Sequence, residues 1–266
     1  MLKLGIGNGS LLKPVAFLLR QIGINIDTKT RASWQTASHD LIESVLLSRP
    51  QHILEYLTRG LLDCALIGKD VLVEFGGYGL RLCGLEGEMV ALNNFTILQP
   101  FPVSKSSFTK CARVVLFTAE MSNMRTLDDL RLRHKTKKVA FSILSEYPNL
   151  SNWFLENQKI ANCLDGPPHP RLVVSTGSTE GPVGDEIYDY GVGIIDTGET
   201  LDINNVRTLA TIMESPLVLI AKTRYSTVNG FELKISNEVL HLKLLVMQAL
   251  AAHTGKEVAV FDPTAN

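Results

Sequence analysis

The sequence holds no apolar run close to the roughly 18 residues that a bilayer-crossing helix requires, so no membrane partner is expected. Its opening, Met1-Leu-Lys-Leu-Gly-Ile-Gly-Asn-Gly-Ser10, breaks into Gly, Asn and Ser before the apolar core of a signal peptide develops. The expectation is a soluble protein of the cytoplasm. Cysteine is sparse: Cys64, Cys83, Cys111 and Cys163 are dispersed, with no C-x-x-C pair and no histidines clustered at metal spacing. A disulfide framework and a zinc site are therefore not expected, and the thiols read as reduced. Excess charge of either sign is missing too, since 26 Lys and Arg stand against 27 Asp and Glu for a net charge of −1. That balance argues against a general attraction to nucleic acid. Any anionic ligand must be held by a local arrangement of residues. Familiar chemical signatures are also absent: no G-x-x-x-x-G-K-[ST] phosphate loop, no G-x-S-x-G elbow, and no Ser, His and Asp set. The Gly7-x-Gly9 turn is too short to count as a dinucleotide fingerprint.

What is present is apolar content, 45% of the residues, ample for a buried core and too high for a disordered chain. Residues 2–6 read as a buried strand and Gly7-Asn8-Gly9-Ser10 as a tight turn, with Ser10 capping a helix over residues 11–22. A helix over 50–59, ended by Gly60, precedes a strand over 64–67, after which Gly68-Lys69-Asp70 turns into Val71-Leu72-Val73. Residues 76–94, with five glycines, read as a loop or irregular hairpin. Strands follow at 112–118, 139–141, 172–174, 192–195 and 217–221. Between them come a capped turn at Thr126, a basic connector over 131–138, a helix over 148–158 and a short helix over 186–190. A long helix over 237–253 closes the sequence. This alternation predicts an α/β protein with mainly parallel sheets.

Two polar loops follow apolar strands, where open α/β sheets gather ligands. The second contains Asp196, Thr197, Gly198, Glu199 and Thr200: two hydroxyls, a glycine that permits close approach, and carboxylates able to address ribose hydroxyls or a metal. The same residues also fit an ordinary capped turn, with Thr200 or Asp202 opening a helix. The first loop contains Gly177, Ser178, Thr179 and Glu180. There too, Ser178 and Glu180 fit a helix cap and its partner.

Taken in order, several segments resemble the ATP phosphoribosyltransferase family. They are Leu2-Lys-Leu-Gly-Ile-Gly-Asn-Gly-Ser-Leu11, Gly60-Leu-Leu-Asp63-Cys-Ala-Leu-Ile-Gly68-Lys-Asp70-Val-Leu72, Ile97-Leu-Gln-Pro-Phe101, Ala112-Arg-Val-Val-Leu116 and Tyr147-Pro-Asn-Leu150. The most specific are Gly177-Ser-Thr-Glu180 and Asp196-Thr-Gly-Glu-Thr-Leu201, whose separation agrees with the family's G-S-V-E and T-G-x-T-L elements. The similarity spans residues 2 to 222.

The resemblance implies two α/β lobes of the type II periplasmic-binding-protein kind with a central active-site cleft. Residues 1–109 and 207–266 would form lobe I, and 110–206 lobe II. It implies the first step of histidine biosynthesis: N1 of ATP attacks the anomeric carbon of phosphoribosyl pyrophosphate, with Mg2+ on the departing pyrophosphate. Asp196, Thr197, Gly198, Glu199 and Thr200 would hold the phosphoribosyl group, with Gly177, Ser178, Thr179 and Glu180 lining the same pocket. Gly9, Ser10, Asp63, Gly68 and Asp70 would face it from the ATP side, and Arg31, Arg49 and Arg113 would neutralise phosphates. The family's short form works with a histidyl-tRNA-synthetase-like regulatory subunit, and such a partner and a homo-oligomer are implied here. Four positions depart from the pattern: Asn8 lies in a first loop without its usual cation, Glu146 replaces a basic residue, Gly193 stands where an Asp is expected, and Glu199 adds negative charge. The competing expectations are a relative with lost or altered catalysis that keeps anion binding, and a solute-binding module of the same fold.

Overall fold

A computed structural model describes residues 1–29, 33–75, 95–137, 141–158, 160, 170–222, 225–226, 232–233 and 235–260. The chain divides into two compact units, Met1–Cys111 with Ser215–Asn266, and Ala112–Glu214.

The first unit holds the strands β1 (Leu2–Gly7), β2 (Ser33–Thr36), β3 (Ile42–Ser48), β4 (Cys64–Gly68), β5 (Phe95–Phe101) and, after the chain returns, β11 (Leu217–Lys222). They form one sheet in the order β2-β3-β1-β4-β11-β5. β3, β1 and β4 run parallel, whereas β2, β11 and the β11–β5 pairing are antiparallel. Alternate residues of a strand face opposite sides of a sheet, and β11 uses both. Leu217, Leu219 and Ala221 join one buried cluster, with β1 and the helices α1 (Leu12–Gln21) and α8 (Asn237–Thr254). Val218 and Ile220 join the other, with α2 (Pro50–Thr58) and α3 (Lys69–Phe75). Apolar residues on both faces are why β4 and β11 read as continuous apolar runs rather than alternating ones.

The helix ends follow local chemistry. Pro50 occupies the first turn of α2, where no N–H is missed. Ser236 caps α8 by accepting from the Val239 N–H at 3.3 Å, and Gly255 ends it at φ +66°. Ser10 caps nothing, which corrects the expectation. Leu11 occupies the cap position of α1 without a side-chain bond, and Gly9 supplies a carbonyl to the Leu12 N–H at 3.0 Å. The segment after Gly68 is the helix α3, not a turn into an extended run.

The second unit holds β6 (Ala112–Ala119), β7 (Ser142–Ser145), β8 (Arg171–Val174), β9 (Tyr190–Ile195) and β10 (Val206–Ser215), in the order β10-β6-β9-β7-β8. β7 pairs with β8 and β9 in parallel, and β6 pairs with β9 antiparallel. Both sheets are thus mixed rather than mainly parallel, because β6 and β11 enter against their neighbours. The helices are α4 (Leu127–Lys137), α5 (Pro148–Asn157), α6 (Glu180–Gly184) and α7 (Glu199–Ile203). A two-stranded ribbon, β12 (Tyr225–Ser226) with β13 (Glu232–Leu233), completes the described strands.

Two expectations here are corrected. The basic run from Arg131 continues α4 instead of forming a connector. The expected helix over 186–190 is a turn leading into β9. There the Asp189 carboxylate accepts from both the N–H and the hydroxyl of Ser142 at 2.8 Å, and its carbonyl accepts from Thr118 Oγ1 at 2.8 Å. The expected loop over 76–94, most of the expected strand over 139–141, and residues Arg31, Cys83 and Cys163 lie outside the described residues. Cys64 and Cys111 are free, and burial pushes the Cys64 thiol well above its ordinary pKa.

Two tests follow from local packing. Gly191 faces Phe117 across the β6–β9 ladder, and a Cβ there would overlap the Phe117 ring. Gly191→Ala should cost about 1–3 kcal/mol, read as a lower urea midpoint, and adding Phe117→Leu should recover part of it. An unchanged midpoint would mean that this contact does not limit packing. At the start of α4, Asp129 Oδ2 accepts from the Thr126 hydroxyl (2.9 Å), the Arg125 N–H (3.0 Å) and the Thr126 N–H (2.8 Å), while Thr126 Oγ1 accepts from the Asp129 N–H. The Thr126 hydroxyl above all, then these amides, hold the Asp129 carboxyl below the usual carboxylate range. Its contribution is complete above about pH 4 and fades as pH falls through the lowered pKa. Asp129→Asn should therefore flatten the acid limb of the stability profile. An acid limb identical to wild type would remove Asp129 from that role.

Candidate active site

Parallel strands all end at the same edge of a sheet. In the second unit the strands β9, β7 and β8 are adjacent and parallel, so the loops that leave them emerge side by side. Ser145, the last residue of β7, lies level with Val174 of β8 and Val192 of β9. The ladder then continues for one step on each side, with Glu146 N–H donating to the Val192 carbonyl at 3.2 Å and Ser175 N–H to the Ser145 carbonyl at 2.8 Å. Three loops thus share the edge: one starts at Glu146, one at Ser175 and one at Asp196.

Each loop is fixed by its own bonds. Ser145 Oγ is buried, accepts from the Tyr147 N–H at 2.8 Å and lies 2.8 Å from Ser151 Oγ, which anchors the start of α5. Ser175 Oγ donates to the Gly177 carbonyl at 2.7 Å and accepts from the Gly177 N–H at 3.3 Å. Gly177 has φ +139°, and Ser178 has φ +55°, an uncommon conformation for a residue with a side chain. Ser178 is exposed, Thr179 is fully buried, and Glu180 opens α6. Ser178 is therefore not the cap of α6. Thr179 precedes the helix without a side-chain cap bond, and its Oγ1 has no partner among the described residues.

In the third loop Gly198 has φ +90° and takes the cap position of α7. Thr197 Oγ1 accepts from the Glu199 N–H at 3.4 Å, and Leu201 is buried as the anchor. Thr197, Glu199 and Thr200 are exposed, while Asp196 is half-buried and has a bonding partner. α7 opens on this edge with its first turn closed on itself, the Leu201 and Asp202 N–H groups both donating to the Gly198 carbonyl, at 2.9 and 3.3 Å. Arg113 pairs with Ile195 across the β6–β9 ladder, which brings an exposed cation beside the carboxyl end of β9. The second and third loops are tied together, because a Cβ on Gly184 of α6 would overlap the Asn204 carbonyl after α7.

In the first unit, the carboxyl edge of β3, β1 and β4 brings together Gly9 and Ser10 after β1, Arg49 after β3, and Gly68 with Asp70 after β4. Asp63 is not among them. It lies at the opposite end of β4, where Oδ2 accepts from the Lys3 N–H at 2.8 Å. Asp70 is buried, its Oδ1 accepts from the Ser215 hydroxyl at 2.5 Å, and its N–H donates to Ser215 Oγ at 2.9 Å. Gly68 is needed for this, since a Cβ there would overlap Asp70 Oδ1. Glu146, noticed in the sequence only as a departure, is the residue whose place at the edge was missed. Its signal was position alone: the first residue after a strand and two before a helix-starting Pro148.

Two mixed α/β units, the second with three loops leaving one parallel edge, define a protein whose fold is of the type II periplasmic-binding kind. The sequence profile of the ATP phosphoribosyltransferase (HisG) family matches residues 49–243, and the chain belongs to that family. A curated ATP phosphoribosyltransferase of Chlorobium phaeovibrioides is 28% identical over 221 residues, 83% of this chain and 63% of the relative. The chain thus spans less than two thirds of the length of that relative. Among solved structures it is similar to the ATP phosphoribosyl transferase (HisG:HisZ) complex from Thermotoga maritima. The TM-score is 0.61 at 22% identity, covering 95% of this chain and all of that one. It is also similar to a histidine kinase sensor domain described as resembling periplasmic binding proteins, with a TM-score of 0.50 at 11% identity, covering 96% and 91%. These two likenesses speak for the fold.

Removing the hydroxyl that faces a buried carboxylate leaves the carboxylate underpaired. Ser215→Ala should therefore lower stability by about 1–3 kcal/mol, measured by urea unfolding. A loss below ~0.5 kcal/mol would show that Asp70 is held by its other contacts.

Proposed function

We propose that the chain catalyses the family reaction, joining N1 of ATP to the anomeric carbon of phosphoribosyl pyrophosphate and releasing pyrophosphate, in the cytoplasm, as the first step of histidine biosynthesis. The observation that carries this reading is the convergence of the Gly177–Glu180 and Asp196–Thr200 loops on one parallel edge, with Arg113 beside them. Such a displacement asks for alignment of two bound partners and stabilisation of a leaving polyanion more than for a covalent nucleophile. Thr197, Gly198 and Thr200 would receive the 5′-phosphate through the two hydroxyls and the loop backbone that Gly198 leaves open to close approach. Arg113 would balance its charge. Gly9, Ser10, Arg49 and Gly68 would serve ATP. Asp70, turned toward Ser215, would shape that edge rather than touch substrate.

Mg2+ belongs to the same proposal. Among the described residues no group of three or more His, Cys, Asp or Glu is placed to hold a metal ion. Magnesium is commonly carried by substrate phosphates, waters and one or two carboxylates, and Asp196 and Glu199 are the nearby carboxylates that suit it. The Thermotoga neighbour is a complex with a second protein, which supports the proposal that this chain works with a histidyl-tRNA-synthetase-like regulatory subunit. Self-association is proposed with it.

Incubating the protein with ATP, phosphoribosyl pyrophosphate and Mg2+ should yield an adduct seen by ultraviolet absorbance. No product, with or without a regulatory partner, would sink the transferase reading. Thr200→Ala should raise KM for phosphoribosyl pyrophosphate on the order of tenfold, the loss of one charge-assisted contact of about 1.5 kcal/mol. Gly198→Val, which forces a branched residue into φ +90°, should do at least as much. The KM for ATP should move little. Unchanged kinetics in both variants would mean that the phosphate is held elsewhere.

A further inference from the structure

The loop that takes the phosphate is three residues of strand beyond Gly193, about 10 Å along β9. Gly193 sits beside Glu146, whose N–H bonds the preceding carbonyl, Val192. A Cβ built on Gly193 would lie 2.8 Å from Thr179 Oγ1, 3.5 Å from the Phe117 ring and 3.6 Å from Glu146 Oε1. The first distance is closer than Cβ atoms approach, so Thr179 bars a side chain at this point. Two oxygens from two different loops, one a carboxylate and one a hydroxyl, therefore meet over the same buried glycine of β9.

Thr179 Oγ1 is buried and unpartnered among the described residues, against the general rule that buried polar atoms are paired. The buried hydroxyl itself is out of a ligand's reach, and the half-buried Glu146 carboxylate is the group that this edge offers. The carboxylate decides what is bound. Ionised Glu accepts hydrogen bonds and donates none, and it repels phosphate. It therefore suits the hydroxyl end of a phosphorylated sugar, not the phosphate end.

We propose that Glu146 reads the ribose hydroxyls of the phosphoribosyl substrate, with Gly193 making room for the Thr179 hydroxyl that packs on the strand beside the carboxylate. The edge is then divided along β9: hydroxyl donors are taken at Glu146, and the 5′-phosphate at Thr197, Gly198 and Thr200. A pentose phosphate has a length comparable to that separation. Glu146 is on this assignment a specificity-determining residue, and it rests on the phosphoribosyl reading of the site.

The test is calorimetric titration of the full chain with ribose 5-phosphate, 2-deoxyribose 5-phosphate and inorganic phosphate. The wild type should prefer ribose 5-phosphate over its deoxy analogue by tenfold or more, because a site built for a hydroxyl rejects a ligand lacking it. Glu146→Ala should reduce that ratio to within about threefold while leaving inorganic phosphate binding intact. Glu146→Gln, which keeps one acceptor oxygen, should fall between. Thr200→Ala should weaken both sugar phosphates equally and leave the ratio alone, as a structural disturbance at Glu146 would not. The proposal is overturned if the wild type shows no preference, if ribose 5-phosphate does not bind, or if Glu146→Ala keeps the wild-type ratio. A ratio that depends on Glu146 in a protein that makes no ATP adduct would instead overturn the transferase reading alone.

Discussion

The parallel pairing of β7 with β8 on one side and β9 on the other is the constraint on which the second unit depends. Parallel neighbours cannot be joined by a tight turn, so the chain must cross over between them. α5 lies between β7 and β8 in the sequence, and α6 between β8 and β9. The consequence is chemical as well as topological: three loops that are distant in sequence start at one edge. Small residues follow from the same pairing. Gly191 admits the Phe117 ring, Gly193 admits the Thr179 hydroxyl, and Gly184 admits the Asn204 backbone.

The first unit is ordered by a different device. β11 arrives after the whole second unit and inserts antiparallel between β4 and β5. Its two faces complete two apolar clusters at once, and each fully buried aliphatic side chain contributes about 1.5–3 kcal/mol. The entry to β11 is pinned where Lys69 N–H donates to the Pro216 carbonyl at 3.0 Å and Ser215 bonds Asp70. A buried carboxylate thus fixes the point at which the chain re-enters the first sheet.

Period and punctuation in the sequence were enough for β1, β4, β6 and β11, and for α1, α2, α5 and α8. Each is either a buried apolar run or an amphipathic stretch bounded by Pro, Ser or Gly. Failures came where tertiary bonds outrank local preference. Glu180-Gly-Pro-Val-Gly184 has a composition that helix propensity ranks near the bottom, yet it is α6, held by close packing against Asn204. The segment Glu186-Ile-Tyr-Asp-Tyr190 looked helical, but Asp189 is drawn to Ser142 and Thr118, and Glu186 adopts φ +57°. β10 was not read because its middle is only partly buried and its pattern correspondingly mixed. Of the candidate site, the glycine-bearing loops stand out in the sequence through their residue types. The place of Glu146 does not, because the strand order β9-β7-β8 is not the order of the chain.

The central claim is that one edge of the second unit binds the phosphoribosyl group. It is tested most directly by adding phosphoribosyl pyrophosphate to nitrogen-labelled protein and following the backbone amides by NMR. If the three loops form the site, the largest saturable shifts will fall on Glu146, Gly177, Ser178, Gly198, Glu199 and Thr200. Saturable shifts confined to other residues, or none at millimolar ligand, would contradict it.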